Sequence, residues 1–217
     1  IVPASQRQGA GSYLWHQLKK AVQGTAVRQI TVTLPNLATP AARCLRHHQS
    51  ALAHEQRTMA LANLAAIPTD TMANPSQLQR VGRQTAVQTL PPLYHRCFRH
   101  TPWFQPYTAA EVAATWEADD QLYYLVENGD AIGLIWFHFP QRDAAEIEPM
   151  GIVPEKQGKG YGRLLLSTAL HQLQSQEIIS VSLGVWSTNR PAINLYRSLG
   201  FQYKTSSYSL TYRFNPT

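Results

Sequence analysis

From Gln121 onward the apolar positions change period in an ordered way. Gln121 to Glu127 alternates and carries Tyr123, Tyr124, Leu125 and Val126, which predicts a strand. Asn128-Gly129 is a strong two-residue hairpin signal, and Ala131 to Phe139 reads as the return strand. Ala144 to Val153 reads as a third strand. From Gly162 to about Gln174 the period becomes helical, with Leu165, Leu166, Ala169, Leu170 and Leu173 on one face. Ile178 to Val185 is strand-like again, so strand, helix and strand form a crossover that sets the two strands parallel. Ser187 or Asn189 caps a further helix to about Leu199, which Gly200 ends. Gln202 to Ser207 and Tyr208 to Phe214 read as a closing hairpin. The expected product is a mixed α/β fold: a mostly antiparallel sheet with a parallel centre, flanked by helices.

Upstream the pattern is weaker. Pro68 to Pro106 is rich in Pro, Gln, Thr and Asn. Ser76 to Leu90 predicts a helix whose loose apolar face is Leu78, Val81, Thr85 and Val87, stopped by Pro91-Pro92. Leu93 to Arg99 reads as a short second helix, and Pro102 and Pro106 bracket a loop carrying Trp103 and Phe104. Thr108 is a helix N-cap with Glu111 at the capping-box position, for a helix to about Glu117.

The first residues repeat the last third. A shift of 151 lays Ile1-Val2-Pro3 on Ile152-Val153-Pro154, and Gln6, Gly9 and Gly11 on Gln157, Gly160 and Gly162. It lays Ile30 to Leu34 on Val181 to Val185, Pro40-Ala41 on Pro191-Ala192, and Met59-Ala60-Leu61 beside Leu210-Thr211-Tyr212. The expected organisation is therefore half a repeat over 1–66 and a complete domain over 67–217. Half a sheet leaves open edges. This leads to the expectation that the chain is a fragment of a longer tandem protein, against the alternative of a half-repeat docked on the complete domain. Raw sheet edges also invite association into a homo-oligomer.

Composition narrows the classes. Hydrophobic content of 44% with 15% charged residues fits a globular chain. The net charge of +6 is spread without a basic stripe, which argues against nucleic acid and suits a polyanionic cofactor. No apolar run nears the ~20 residues a membrane span needs, so no membrane partner is expected. The stretch Ile1 to Lys20 has no apolar core of a signal peptide. Cys44 and Cys97 are too few for a disulfide framework, and the default compartment is the cytoplasm. Among eight histidines, His47-His48 are adjacent and His95 and His100 five apart, so no metal site is expected. Neither cysteine has the surroundings of a nucleophile: Cys97 has no obvious base beside it, and Cys44 lies on an apolar helix face.

The candidate chemistry starts at Gln157-Gly158-Lys159-Gly160-Tyr161-Gly162-Arg163. A glycine turn running into a helix exposes backbone N–H groups and the positive end of the helix dipole, a seat for an anion, most often a phosphate. It lacks the Lys-Ser/Thr of a nucleotide-binding Walker loop. Glu146 and Glu148 lie two apart on one strand, so both face the same side. Partly buried, such a pair raises one pKa and makes a better base; the bland reading is a strand face that meets solvent.

The chain resembles the GNAT superfamily of acyl-CoA N-acyltransferases. Gln157, Gly160 and Gly162 match its glycine motif. Asn189, Ala192, Tyr196, Gly200 and Phe201 match its second signature, with a strand between the two. The likeness covers roughly Thr108 to Phe214, plus the half-copy at the start; the usual opening strand and two helices are poorly matched in Pro68 to Pro106. The resemblance implies acetyl-CoA as cosubstrate, with the pyrophosphate on the N–H groups of Gly158 to Arg163. It implies a splayed strand whose free backbone groups, about Met150, Gly151, Ile152 and Val153, hold the pantetheine arm and thioester. Glu146 sits where the histone-acetyltransferase branch keeps its catalytic Glu, while Glu148 could act through water. Tyr196 matches the residue that protonates the leaving thiolate, or else packs on the sheet. Lys159 and Arg163 either add charge beside the phosphates or are exposed turn residues. Asn189 either bonds the pantetheine arm or only caps its helix. Trp103, Phe104, Tyr107, Tyr124 and Trp136 are candidates for the acceptor pocket, with core packing the simpler role for most. In the first copy Ala38, Leu45 and Gln49-Ser50 replace Asn189, Tyr196 and Gly200-Phe201, which implies a degenerate copy. The implied activity is transfer of an acetyl group to a small-molecule or peptide amine by direct attack in a ternary complex. The alternative is a non-catalytic acyl-CoA-binding or regulatory module.

Overall fold

Residues 8–67, 77–102 and 104–214 are described by the computed structural model, and they hold eight strands and six α-helices. They fall into two units, one from Ile1–Thr58, Trp186–Thr188 and Lys204–Thr217, the other from Met59–Val185 and Asn189–Tyr203. None of the described helices is long and apolar enough to cross a membrane.

The first unit contains α1 (Ala10–Val22), β1 (Gln29–Leu34), α2 (Pro40–His47), most of β2 (Ala51–Leu61) and most of β8 (Gln202–Arg213). Its strands run in the order β1-β8-β2. β1 pairs antiparallel with β8, from Gln29 opposite Arg213 to Leu34 opposite Tyr208. Alternation sends Ile30, Val32 and Leu34 against a small core of Trp15, Ala42, Leu45 and Leu210. On the other face Thr31 meets the Thr211 hydroxyl at 2.8 Å and Thr33 meets the Ser209 hydroxyl at 2.9 Å. Glu55 of β2 accepts from Ser206 Oγ at 2.7 Å. That bond, more than the neighbouring Arg57, holds the Glu55 carboxyl below its usual range.

The second unit contains β3 (Leu78–Val81), α3 (Arg83–Phe98), α4 (Ala109–Thr115), β4 (Gln121–Glu127), β5 (Asp130–Gln141), β6 (Ala144–Ile152), α5 (Tyr161–Gln174), β7 (Ser180–Trp186) and α6 (Arg190–Ser198). Its strand order is β7-β6-β5-β4-β3, with β6 and β7 parallel and the other pairs antiparallel. Helices cover both faces of β5. Gly133 and Ile152 are a cross-strand pair, and a Cβ on Gly133 would lie 2.5 Å from Ile152 Cδ1 and 3.4 Å from Leu165 of α5. Leu134 and Gly151, one residue along, face the opposite way; there a Cβ on Gly151 would lie 2.5 Å from the Phe98 ring of α3. This two-sided cover is why Leu134, Ile135, Trp136 and Phe137 are all buried in succession. On α5 the predicted face of Leu165, Leu166, Ala169, Leu170 and Leu173 is fully buried, each Leu contributing about 1.5–3 kcal/mol.

Several expectations hold in detail. Asn128 and Gly129 take positive φ at the β4–β5 turn. Thr108 and Glu111 form the capping box, although α4 stops at Thr115 rather than near Glu117. Asn189 caps α6, and Gly200 ends it at φ 91°.

Two readings are corrected. Within 76–90 the chain makes strand β3 and then enters α3 at Arg83, and α3 continues through Pro91 and Pro92. The prolines remove two helical donors, but Ala86, Leu90, Leu93 and Cys97 lie on one buried face on either side of them. Burial of that face outweighs the local penalty, so the two short helices are one. The closing hairpin is also absent: 202–213 is a single strand. Ser206 and Ser207 supply neither the Gly nor the Asn of a tight turn, and β8 finds its partner in β1 rather than in itself.

Gly151 tests the close packing of α3 on β6. Gly151→Ala is expected to cost about 1–3 kcal/mol, the usual penalty of overpacking, and to lower the melting temperature in a calorimetric scan. An unchanged melting temperature would mean that the Phe98 ring turns aside freely.

Candidate active site

The glycine turn follows β6 directly. Val153 N donates to Ile132 O at 2.9 Å, a 3₁₀ turn covers Pro154–Lys156, and α5 begins after Gly160 at φ 88°. The first helical bond runs from Leu164 N to Gly160 O. Tyr161, Gly162 and Arg163 therefore have N–H groups with no acceptor inside the helix, and no side chain caps the end. A Cβ on Gly158 or Gly160 would meet nothing within 4 Å, so the space over the turn is open. Gly162 serves packing instead, since a Cβ there would touch Leu195 of α6 at 3.4 Å.

The side chains around the turn mostly bind the protein itself. Gln157 Nε2 donates to Ile152 O at 2.8 Å, closing the turn. Lys156 and Tyr161 both bond the Glu127 carboxylate at the end of β4, and the Lys156 bond is the main reason that carboxyl is held low. Lys159 Nζ donates to Glu155 O at 3.0 Å, and Arg163 donates to Ser198 Oγ at 2.7 Å. What faces open space is therefore backbone.

β6 keeps its antiparallel partner to the end but loses its parallel one. The β6–β7 ladder runs only from Ala144 opposite Ser180 to Ile147 opposite Leu183, while the β5 ladder reaches Ile152. Val153 bonds to Ile132, so alternation turns the groups of Gly151 toward β5 and those of Met150 and Ile152 toward the gap. Since Gln157 takes Ile152 O, the groups left to the gap are Met150 N–H and C=O and Ile152 N–H. Val153, expected among the free positions, has its N–H engaged.

A bulge precedes this edge. Ile135 lies opposite Met150, yet Phe137 lies opposite Ile147, so Glu148 and Pro149 together face Trp136. Without the extra residue, Glu146 and Gly151 would point to opposite faces. With it, Glu146, opposite His138, shares the α3 face with Gly151. Glu146 and Glu148 are both exposed, which corrects the expectation of partial burial.

Several groups gather around these carboxylates. His138 Nδ1 lies 3.0 Å from Asp120 Oδ1, and its Nε2 donates to the Glu148 carbonyl at 3.1 Å. Tyr94 and Tyr107 meet edge to face at 4.8 Å, with Phe98 and Phe104 against Tyr94. Burial pushes the Tyr94 hydroxyl up to about 12, with Tyr107 and the Glu148 carboxylate adding to it. Burial and Glu148 raise Tyr107 as well. Trp103 lies outside the described residues. Tyr124 and Trp136 are core side chains: Tyr124 meets the Thr89 hydroxyl at 2.9 Å and Trp136 Nε1 donates to Asp120 at 3.0 Å. A recess of about 530 Å3 between β3, α3 and β4 includes Tyr124 but no residue of the glycine turn or β6.

Tyr196 is buried on α6, its ring 5.8 Å from Phe201. Burial pushes its hydroxyl up to about 12, so it keeps its proton throughout the neutral range. Asn189 Oδ1 accepts from Ala192 N at 3.3 Å, the geometry of a helix cap. Among the described residues no cluster of His, Cys, Asp and Glu could hold a metal ion.

The first unit repeats parts of this backbone. Gly9 precedes α1 at φ 81° without a side-chain cap, as Gly160 precedes α5. Gln49 takes φ 65° where Gly200 takes 91°. Ser50 N bonds Leu45 O at 3.0 Å, as Phe201 N bonds Tyr196 O at 3.0 Å. At the Tyr196 position, however, Leu45 has no hydroxyl.

His138, Asp120, Tyr94 and Glu127 were not singled out from sequence. Only His138 left a trace there, as a polar residue inside the otherwise apolar run of the return strand. The link between Asp120 and Glu148 joins three separate segments and has no local signature.

The family model described as Acetyltransferase (GNAT) family matches residues 87–201. The chain is 36% identical over 92 residues to the mycothiol acetyltransferase of Thermomonospora curvata, a match that covers 42% of this chain and 31% of that protein. The segment thus spans about a third of the relative's length. Among solved structures, the GCN5-related N-acetyltransferase of Sphaerobacter thermophilus is similar with a TM-score of 0.74 and 17% identity, covering all of this chain and 71% of that one. A tandem GNAT protein from the clavulanic acid biosynthesis pathway is similar with a TM-score of 0.64 and 18% identity, covering all of this chain and 74% of the other.

Cysteine reactivity checks the site's environment. Burial pushes the Cys97 thiol up to about 12, whereas Cys44 is half-buried. Labelling with a thiol-specific disulfide reagent at pH 8 is expected to modify Cys44 and spare Cys97 until the protein is denatured; rapid labelling of Cys97 would show that α3 lifts from β6 in the native state. With both of its sequence signatures on one open-ended helix and the next, and with more than half its length matched, this chain belongs to the GNAT family of acetyltransferases.

Proposed function

We propose that the chain is an N-acetyltransferase that moves an acetyl group from acetyl-CoA to a primary amine by direct attack in a ternary complex. The observation that carries this reading is the uncapped N-terminus of α5 beside the unpaired edge of β6. The N–H groups of Gly158 to Arg163 seat the pyrophosphate, where exposed donors and the helix dipole favour negative charge. The pantetheine arm lies along the β6 edge and bonds the groups that β7 leaves free. Met150 N–H faces the thioester oxygen and stabilises the oxyanion as it forms.

The acceptor approaches from the α3 face. A free amine with a pKa near 10 is mostly protonated at neutral pH, so a carboxylate must take its proton, directly or through a water. Glu146 or Glu148, both exposed on β6, does this. The neutral amine nitrogen attacks the carbonyl carbon, the carbon–sulfur bond breaks, Tyr196 gives its proton to the leaving thiolate, and the surplus proton on the nitrogen is lost as Tyr196 is reprotonated, so that one proton in all passes to solvent. The Tyr94–Tyr107 pair beside Glu148 forms the acceptor's wall. The relatives named mycothiol acetyltransferase make mycothiol-related amines the first acceptors to try. Residues 67–217 act as the complete domain, and 1–66 as the second half of a degenerate copy; the offset backbone features and Leu45 in place of a tyrosine support this division. The competing reading, an acyl-CoA-binding module without turnover, has the same open helix end in its favour.

Thiol release from acetyl-CoA over a panel of primary amines separates the two readings, since the module would bind CoA and release none. Tyr196→Phe is expected to lower kcat by about tenfold or more, a loss of transition-state stabilisation of about 1.4 kcal/mol, with the acetyl-CoA Kd unchanged. Because its hydroxyl titrates near 12, Tyr196 contributes no alkaline fall in the rate below about pH 10. Near-normal turnover of Tyr196→Phe would remove this residue from the mechanism.

A further inference from the structure

We infer that His138 is a positioning residue for the acceptor-side carboxylates, acting through the main chain of β6; this rests on the acetyltransferase reading above. The need for such a residue comes from the bulge. Opposite Trp136 the regular exchange of ladder bonds is interrupted, and Pro149 has no N–H to offer. Glu148 therefore stands at a break in the β5 ladder and just beyond the last residue paired with β7.

His138 supplies the missing hold. Its Nε2 donates to the Glu148 carbonyl at 3.1 Å. Its Nδ1 lies 3.0 Å from Asp120 Oδ1, on a side chain with no exposed surface. Asp120 is anchored in turn, since its Oδ2 accepts from Trp136 Nε1 at 3.0 Å and from Glu117 N at 3.1 Å. The imidazole also leans on the Trp136 ring at 4.8 Å, which leaves it little freedom to turn. A buried carboxylate, a ring with both nitrogens engaged and a strand carbonyl thus form one connected chain. The strand it ends on presents Glu146, directly opposite His138, and Glu148, whose charge helps raise the Tyr94 and Tyr107 hydroxyls. The device resembles an oriented histidine next to a metal or nucleophile, except that the oriented object is a stretch of backbone.

Two substitutions at one position separate positioning from plain stability. Glutamine places an amide near the Nε2 site and keeps the bond to Glu148. Asparagine places one near the Nδ1 site and keeps only the bond to Asp120. Both variants are read by amine-dependent thiol release, by acetyl-CoA affinity in calorimetry, by melting temperature and by hydrogen exchange of the 144–152 peptide. His138→Gln is expected to retain kcat within about threefold. His138→Asn is expected to lose about tenfold in kcat, the size of one lost hydrogen bond of about 1.4 kcal/mol, and to exchange faster across 144–152, with acetyl-CoA affinity unchanged. The inference is overturned if the two variants behave alike in exchange and in kcat, or if kcat falls only in step with melting temperature. Should the unaltered protein release no thiol with any amine, the acetyltransferase reading fails; the asparagine-specific rise in exchange would then still support the link to β6, and its absence would overturn it.

Discussion

Beyond Ile147, β6 gives up its parallel partner while keeping its antiparallel one. Everything at the site follows from that one-sided pairing. A strand bonded on both edges has no backbone groups to offer a ligand, and a strand bonded on neither does not hold its shape. Here the β5 ladder resumes after the bulge and holds the strand from Met150 to Ile152, and the freed edge presents Met150 and Ile152. The glycine turn begins within a few residues of that edge, so the open helix end and the open strand edge adjoin each other.

The bulge at Glu148 and Pro149 is the second half of the same device. An inserted residue changes which face every later side chain takes. It lets Glu146 share a face with Gly151, where Phe98 packs against the glycine, so the carboxylates and the α3 wall belong to one side of the sheet. The opposite side is closed by α5 and is wholly apolar at Leu165, Leu166 and Leu170. The Glu146 carboxylate thus lies on the α3 side of the sheet and away from the apolar α5 side. The basic residues near the turn are largely occupied with the protein's own acceptors, Lys156 with Glu127, Lys159 with a carbonyl and Arg163 with Ser198. What the turn presents to open space is main-chain donors first.

Much of this was legible beforehand where the signal is local. The Asn128-Gly129 turn, the Thr108–Glu111 capping box, the five-residue apolar face of α5 and the ending of α6 at Gly200 each depend on residues within one or two turns of one another. The failures lie where a partner far away decides. Pro91-Pro92 reads as a helix stop, but Leu90 and Leu93 are both buried and carry the helix across. Residues 202–213 read as two strands because nothing local shows that β1 awaits the second half. Glu146 and Glu148 were expected to be partly buried; their exposure depends on how far α3 and the loop after it cover β6, which no pattern within the strand reports.

The two glycine turns draw the line between the two kinds of information. Spacing and residue type alone determined that Gly9 and Gly160 would each open a helix without a capping side chain, because a positive φ at that point suits glycine and little else. They also determined the order of strands and helices from Gln121 to Leu199 and the family signatures set within it. What the two helices then touch was decided by tertiary structure. Leu14 and Leu18 of α1 are 56% and 42% exposed, while Leu165 and Ala169, at the matching positions of α5, are fully buried. The parting of β6 from β7, the side on which Glu146 emerges and the chain from Asp120 through His138 to Glu148 belong to the same class. Each depends on which strands and helices come to lie together, and a pairing between distant segments leaves no periodicity in either of them.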